Sequence, residues 1–152
     1  MGDTSASLIR ELVNEQARLL DVDVLAVEHK GAGSRQLVRI VVDRKGGVSL
    51  GTCQQLSQAL SRRLDEVDPI GGRYTLEVTS PGVDWPLTDR TAFDRVEGRP
   101  VLIHRRAGSN RIEQIRGEVV EAGPDAVRVA DGDTTVSVAY GDIVKAAQAL
   151  PW

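Results

Sequence analysis

The sequence is poor in the residues that build reactive centres. Cys53 is the only cysteine, so no disulfide can form within the chain. His29 and His104 are the only histidines, and neither has a second ligand at metal-binding spacing. The chain also lacks a Cys-x-x-Cys, a Walker sequence, a G-x-G-x-x-G fingerprint and a G-x-S-x-G context around Ser80. We therefore expect no catalytic residues, no metal site and no cofactor.

Long apolar runs are missing as well. No segment approaches the roughly 20 consecutive apolar residues that cross a bilayer. The start of the chain lacks the basic residues and unbroken apolar core of a signal peptide. We therefore expect a soluble, cytoplasmic protein with no membrane contact. Aromatic residues make up only 3% of the chain, so its cores must be built from Val, Leu, Ile and Ala.

The charge balance opposes indiscriminate binding to nucleic acid. The net charge is −3 and the pI is near 5.4, whereas such binding is driven by cations that neutralise phosphates. Among the 19 basic residues only Lys30, Lys45 and Lys145 are lysines, and the rest are arginines. Arginine suits bidentate contacts with phosphate or carboxylate. A compositional bias of the genome is the simpler interpretation of this excess.

The first half of the chain predicts an α-β-β-α-β order, with two helices on a three-stranded sheet. Its predicted elements are a helix over 5–20 capped by Ser5 or Ser7, strands over 22–28 and 36–43, a helix that starts after Ser49, and a strand over 73–79. Glycines over 31–34 predict a hairpin loop between the first two strands. The second helix has an apolar stripe formed by Cys53, Leu56, Leu60 and Leu64.

The second half has a different period and predicts strands only. Its strand-like runs are 100–106, 113–121, 126–130 and 134–140, and residues 143–150 are expected to form a short helical turn or tail. Asp131-Gly132 is a strong signal for a two-residue hairpin. We expect about five short strands in some 60 residues, which predicts a small SH3-like or Sm-like β-barrel, closed or half-closed. The chain is therefore predicted to be α+β, with an N-terminal domain over 1–80, a connector over 81–90 and a C-terminal barrel over 91–152.

The connector carries the most specific pattern of the sequence. It reads Ser80, Pro81, Gly82, Val83, Asp84, Trp85, Pro86, Leu87. Pro81-Gly82 suits the centre of a type II turn, where glycine accepts a positive φ. Pro86 holds Trp85 in an extended conformation, and we expect the large ring of Trp85 to pack at the domain junction.

This pattern resembles the hallmark of the bacterial ribosome maturation factor RimP family. The resemblance includes the Leu-Glu-Val strand at 76–78, the Ala-Phe-Asp-Arg run at 92–95 and Gly-Arg at 98–99. It implies a non-catalytic monomer that binds the free, immature small ribosomal subunit, contacts 16S ribosomal RNA and small-subunit protein twelve, and helps the central pseudoknot to form. Trp85 stands where the family pattern has arginine, so a role for a cation at that position is not carried over.

Basic residues form three local clusters. They are His104, Arg105, Arg106, Arg111 and Arg116 around the loop 107–110; Arg35, Arg39, Arg44 and Lys45 along the second strand and its exit; and Arg62 and Arg63 on the second helix. The candidate ribosome-contact residues are Arg105, Arg106, Arg111, Arg116, Arg39, Arg44 and Lys45. The alternative for the hairpin cluster is a set of charges that protect a sheet edge from aggregation.

Two other functions remain open. The order of the first half is similar to KH-type RNA-binding modules, but the G-x-x-G loop is absent, and Tyr74 is the only aromatic residue in the three predicted strands of that half. A free-standing Sm-like RNA-binding regulator would form rings through its strand edges, which a measured solution mass distinguishes from a monomer. A small enzyme would need Cys53 or His104 as its reactive group, although nothing in the sequence indicates a substrate.

Overall fold

The computed structural model describes residues 2–149, which form two compact units. The first unit comprises Met1–Arg44 and Val48–Pro81, and the second comprises Lys45–Gly47 and Gly82–Trp152. The elements of the first unit are α1 (Gly2–Leu19), β1 (Asp23–Lys30), β2 (Gln36–Asp43), α2 (Leu50–Val67) and β3 (Tyr74–Thr79).

The first unit places two helices on a three-stranded sheet, as the sequence predicts. Strand β2 is central, antiparallel to β1 and parallel to β3. Parallel neighbours need a long crossover, and α2 provides it. The predicted stripe of α2 is buried together with Val38, Ile40 and Val42 of β2, and all three valine and isoleucine side chains are fully buried.

Local signals define both ends of α2. The Ser49 Oγ accepts a hydrogen bond from the Thr52 N–H at 3.1 Å, which confirms the predicted cap. Asp68 closes the helix in the left-handed conformation, and its N–H donates to the Leu64 carbonyl at 2.8 Å. The predicted caps of α1 are wrong, because that helix already begins at Gly2 and both Ser5 and Ser7 lie inside it.

A buried glutamine ties the loops of the first unit together. The Gln36 Nε2 donates to the carbonyls of Gly71 at 2.7 Å and Gly33 at 3.0 Å, and the Gln36 Oε1 lies 2.7 Å from the His29 Nε2. The β1–β2 hairpin is therefore fixed to the loop before β3. His29 is a strand-end residue with a structural hydrogen bond.

The second unit is a five-stranded antiparallel sheet with short helical segments. Its elements are α3 (Arg90–Arg95), β4 (Pro100–Arg106), β5 (Ile112–Ala122), β6 (Ala126–Asp131), β7 (Thr134–Ala139), a 3-10 turn (Tyr140–Asp142) and β8 (Ile143–Gln148). The strand order is β7-β6-β5-β4-β8, so β7 and β8 are the sheet edges. The predicted hairpin is confirmed: Asp131 pairs with Thr134, and Gly132 adopts a φ of 64° in the two-residue loop.

The prediction for residues 143–150 is wrong over the part that the structure describes. Residues 143–148 form β8, which pairs antiparallel with β4, and Leu150 lies outside the described residues. The Ala-rich run Lys145 to Ala149 has good intrinsic helix propensity. Pairing with β4 and burial of Ala146, only 4% exposed, outweigh that local preference.

The expectation of strands only is also wrong, because α3 precedes the sheet. The Asp89 Oδ1 accepts a hydrogen bond from the Ala92 N–H at 2.9 Å and caps the helix. Phe93 and Val96 then enter the core of the second unit. Six residues are too few to show helical periodicity. In the sequence, only the capping residue Asp89 and the apolar residues Phe93 and Val96 indicate this helix.

Candidate functional site

The connector pattern forms a turn, but not the predicted one. The Trp85 N–H donates to the Gly82 carbonyl at 3.0 Å, so the turn runs from Gly82 to Trp85. The type II turn centred on Pro81-Gly82 is wrong, because Gly82 does not adopt a positive φ. A Cβ on Gly82 would lie 2.8 Å from the Asp84 Oδ1. Any larger residue at this position would require the Asp84 side chain to shift.

The end of the connector joins the sheet of the second unit. The Leu87 N–H donates to the Ala146 carbonyl of β8 at 2.9 Å, and the Leu87 side chain is buried in the core. The Trp85 side chain is half-buried. Its packing at the domain junction stays a prediction.

Side chains alternate between the two faces of a strand, so the arginines of the hairpin cluster do not all lie on one face. Arg105 and Arg106 are successive residues of β4 and point to opposite faces. The Arg105 guanidinium lies 3.1 Å from the Glu113 carboxylate and donates to the Ser137 carbonyl of β7 at 3.3 Å. Arg106 and Arg111 are exposed on either side of the loop. The structure therefore leaves Arg106 and Arg111 exposed at the two ends of the loop, whereas Arg105 has contacts within the sheet.

The candidate cations in β2 and directly after it have partners of their own. Arg39 forms an ion pair with Glu77 of β3 at 3.0 Å. Arg44 donates to the Leu20 carbonyl at 3.4 Å and to the Thr52 Oγ1 at 3.3 Å. Arg44 thus links the end of α1 to the start of α2.

Lys45 belongs to the second unit with Gly46 and Gly47. Its ammonium group lies 3.0 Å from the Asp94 carboxylate and 3.4 Å from that of Glu97. These hydrogen bonds, first that of Asp94, raise the pKa of Lys45. Lys45 is therefore fully charged at neutral pH, but its charge is already met by two carboxylates.

Neither residue proposed as a reactive group has the surroundings that such chemistry needs. Burial raises the pKa of the Cys53 thiol, so the nucleophilic thiolate is disfavoured. The His104 Nε2 lies 3.1 Å from the Gln114 Nε2, and its Nδ1 is buried without a hydrogen-bond partner in the described structure. Between residues 2 and 149, no group of three or more His, Cys, Asp or Glu residues could hold a metal ion.

These features define a small α+β protein with an α-β-β-α-β unit, an antiparallel sheet unit and a Ser-Pro-Gly connector between their sequences. The family model described as the RimP N-terminal domain matches residues 12–84, from α1 through β3 to Asp84 of the connector. Residues 12–84 therefore form the N-terminal domain found in the RimP family of ribosome maturation factors. No helix in the described part of the chain is long and apolar enough to span a membrane.

Proposed function

We propose that this protein is a non-catalytic maturation factor that binds the free, immature small ribosomal subunit and assists its assembly. The match to the RimP N-terminal domain over residues 12–84 carries this proposal. Its partners are 16S ribosomal RNA and small-subunit protein twelve, and it acts in the cytoplasm as a monomer. Measurement of the solution mass tests the last point, since a ring of copies would favour an Sm-like regulator.

The second unit is proposed to be a small SH3-like barrel. The Arg105 side chain supports this, because it reaches from β4 to the Ser137 carbonyl of β7, although β5 and β6 lie between these two strands in the sheet order. Such a contact requires a strongly curved sheet. With 1–80 and 91–152 as domains and 81–90 between them, each domain carries its own buried core.

Binding that differs between two states of the particle is sufficient for this function. A factor that binds the immature fold more tightly shifts the population towards the fold it recognises and leaves when assembly is complete. A difference of about 1.4 kcal/mol already changes the ratio of the two affinities tenfold. No covalent chemistry is required.

Depletion of the protein from its cells tests the proposed function. We expect free subunits and unprocessed small-subunit RNA to accumulate, because the immature particle then lacks the factor that stabilises the fold from which assembly proceeds. Re-expression of the full chain should restore the normal profile. A normal subunit profile after depletion would contradict the proposal.

The exposed pair Arg106 and Arg111 is proposed to contact ribosomal RNA. We expect the double variant Arg106→Ala, Arg111→Ala to bind the small-subunit particle more weakly. Each lost phosphate contact should lower the slope of log affinity against log salt by about 0.7 to 0.9. Sedimentation binding assays at several salt concentrations measure both quantities.

The matched control removes two exposed arginines of α1, Arg10 and Arg18, so the net charge changes equally. Arg105 is kept in both variants, because its contacts with Glu113 and Ser137 make its removal a stability defect as well. An unchanged affinity and salt slope for the hairpin variant would reject this contact.

A further inference from the structure

Two exposed glycine-rich loops meet at one end of the first sheet. They are residues 31–34, between β1 and β2, and Gly71-Gly72, before β3. The buried amide of Gln36 joins them, because its Nε2 donates to the carbonyls of Gly33 and Gly71. A Cβ built on Gly33 or Gly71 would meet no described atom within 4 Å, apart from the chain neighbours. The backbone is therefore accessible at this end, with these two carbonyls directed towards Gln36.

An arginine follows each of the two loops. Arg35 directly precedes Gln36, Arg73 directly precedes Tyr74, and Gln36 and Tyr74 are paired in neighbouring parallel strands. The backbones of the two arginines are therefore about one strand spacing apart, roughly 5 Å. Both are exposed, and neither guanidinium has an ion pair or a hydrogen bond within residues 2–149. Two like charges at this distance repel each other, so an anion between them is stabilising.

A shallow depression of about 390 Å³ adjoins Arg73, between α2 and β3. It is lined by Ser61, Asp65, Gly72, Arg73, Tyr74 and Leu76. Burial first, and then the charge of Asp65 and a hydrogen bond with it, raise the pKa of the Tyr74 hydroxyl, which stays protonated. The Asp65 carboxylate keeps further acceptor sites, because its two oxygens offer about four. The depression thus places an aromatic ring and a hydrogen-bond acceptor next to the two arginines.

We propose that this nucleotide site, formed by the two arginines and the depression, holds one nucleotide of single-stranded RNA. The phosphate lies between Arg35 and Arg73, since guanidinium groups suit phosphate oxygens. The base lies against the Tyr74 ring, and Asp65 accepts a hydrogen bond from its exocyclic amino group. A peptide rich in acidic side chains would place like charge beside Asp65, so the site favours RNA. The proposal rests on the proposed function only for the source of that RNA, the immature small subunit.

The Asp65 carboxylate predicts a base preference that tests the nucleotide site. Cytosine presents an amino group where uracil presents a carbonyl oxygen, so only cytosine can donate to Asp65. We expect the purified full chain to bind labelled oligocytidylate about tenfold more tightly than oligouridylate of equal length. An asparagine can face either base, so Asp65→Asn should raise the affinity for oligouridylate and reduce the preference to about twofold or less.

The arginines are tested with a variant pair of equal net charge. We expect Arg35→Gln, Arg73→Gln to bind both oligonucleotides about tenfold more weakly at ~0.1 M salt, with a salt slope lower by about 0.7 for one lost phosphate contact. Arg10→Gln, Arg18→Gln removes two exposed arginines of α1 in the same unit and should bind like the unaltered protein.

Thermal melting confirms that each variant is folded before binding is measured. Equal affinity of the unaltered protein for the two oligonucleotides, or an unchanged preference in Asp65→Asn, would overturn the proposal. Equal weakening in the α1 control would also overturn it, because the effect would then be general electrostatics. So would an arginine variant that loses affinity for polyglutamate but not for RNA, since the site would then serve an acidic protein. If the RNA results hold while the unaltered protein fails to bind small subunits, the proposed function fails and the nucleotide site stands.

Discussion

Replacing Gly117 by alanine is expected to unfold the second unit or to destabilise it by about 3 kcal/mol or more. Gly117 lies in β5, next to β6. A Cβ there would overlap the carbonyl oxygen of Ala130, and it would lie 2.7 Å from the Ala130 carbonyl carbon and 2.8 Å from the Val129 Cγ1. Because the obstacle is backbone in a paired strand, β5 and β6 must separate to admit the methyl group.

Gly141→Ala is the matched control for Gly117→Ala. Gly141 does not have a positive φ, and among the described residues no atom lies within 4 Å of the position of its Cβ. We expect the control to leave stability unchanged or slightly raised, since alanine restricts the unfolded chain. Urea unfolding and residue-resolved hydrogen exchange measure the effect on each unit. A Gly117→Ala protein as stable as the Gly141→Ala protein would contradict the β5–β6 pairing.

Replacing Phe93 by alanine should cost about 3–5 kcal/mol, the usual loss for a buried phenylalanine. Phe93 is the only phenylalanine of the chain and is fully buried. Its ring lies 6.1 Å from that of Tyr140, centroid to centroid. Small domains have only about 5–15 kcal/mol of total stability, so this single change removes a large fraction of it.

Tyr140→Phe provides the comparison for Phe93→Ala. It keeps the ring beside Phe93 and removes the hydroxyl that donates to the Gly123 carbonyl at 2.7 Å. The expected loss is about 1–3 kcal/mol, because the carbonyl then lacks that partner. If Phe93→Ala proves less destabilising than Tyr140→Phe in the same urea titration, then Phe93 is not the centre of the second core.

The first unit was predictable from its sequence because its signals are local. The stripe of α2 recurs at helical spacing from Cys53 to Leu64, and Ser49 caps the helix through a hydrogen bond with Thr52, three residues away. The strand β2 occupies the predicted residues 36–43. The parallel pairing of β2 with β3 was not predicted, since it depends on contacts across the whole length of α2.

The errors lie where tertiary contacts outweigh local preference. Residues 143–148 favour helix locally but form β8 against β4, more than 35 residues earlier in the chain. The connector turn is displaced by one residue from the Pro-Gly dipeptide, because the Trp85 N–H donates to the Gly82 carbonyl. For β8 the partner is a strand that the local pattern does not contain.

The sequence was sufficient to predict the family, but not which charged side chains are exposed. The connector pattern predicted the RimP family, which the match over 12–84 supports. The sequence did not predict which arginines are free of protein partners. Arg39 forms a hydrogen bond with Glu77 of β3, and Arg105 donates to the Ser137 carbonyl of β7, and both partners are distant in the sequence.

The most direct test of the proposed function compares binding to immature and mature particles. Purified full-length protein is sedimented with immature small subunits, with mature small subunits and with intact ribosomes at the same salt concentration. We expect at least tenfold tighter binding to the immature subunit, which corresponds to about 1.4 kcal/mol. Equal affinity for immature and mature particles, or binding to none of them, would contradict the account.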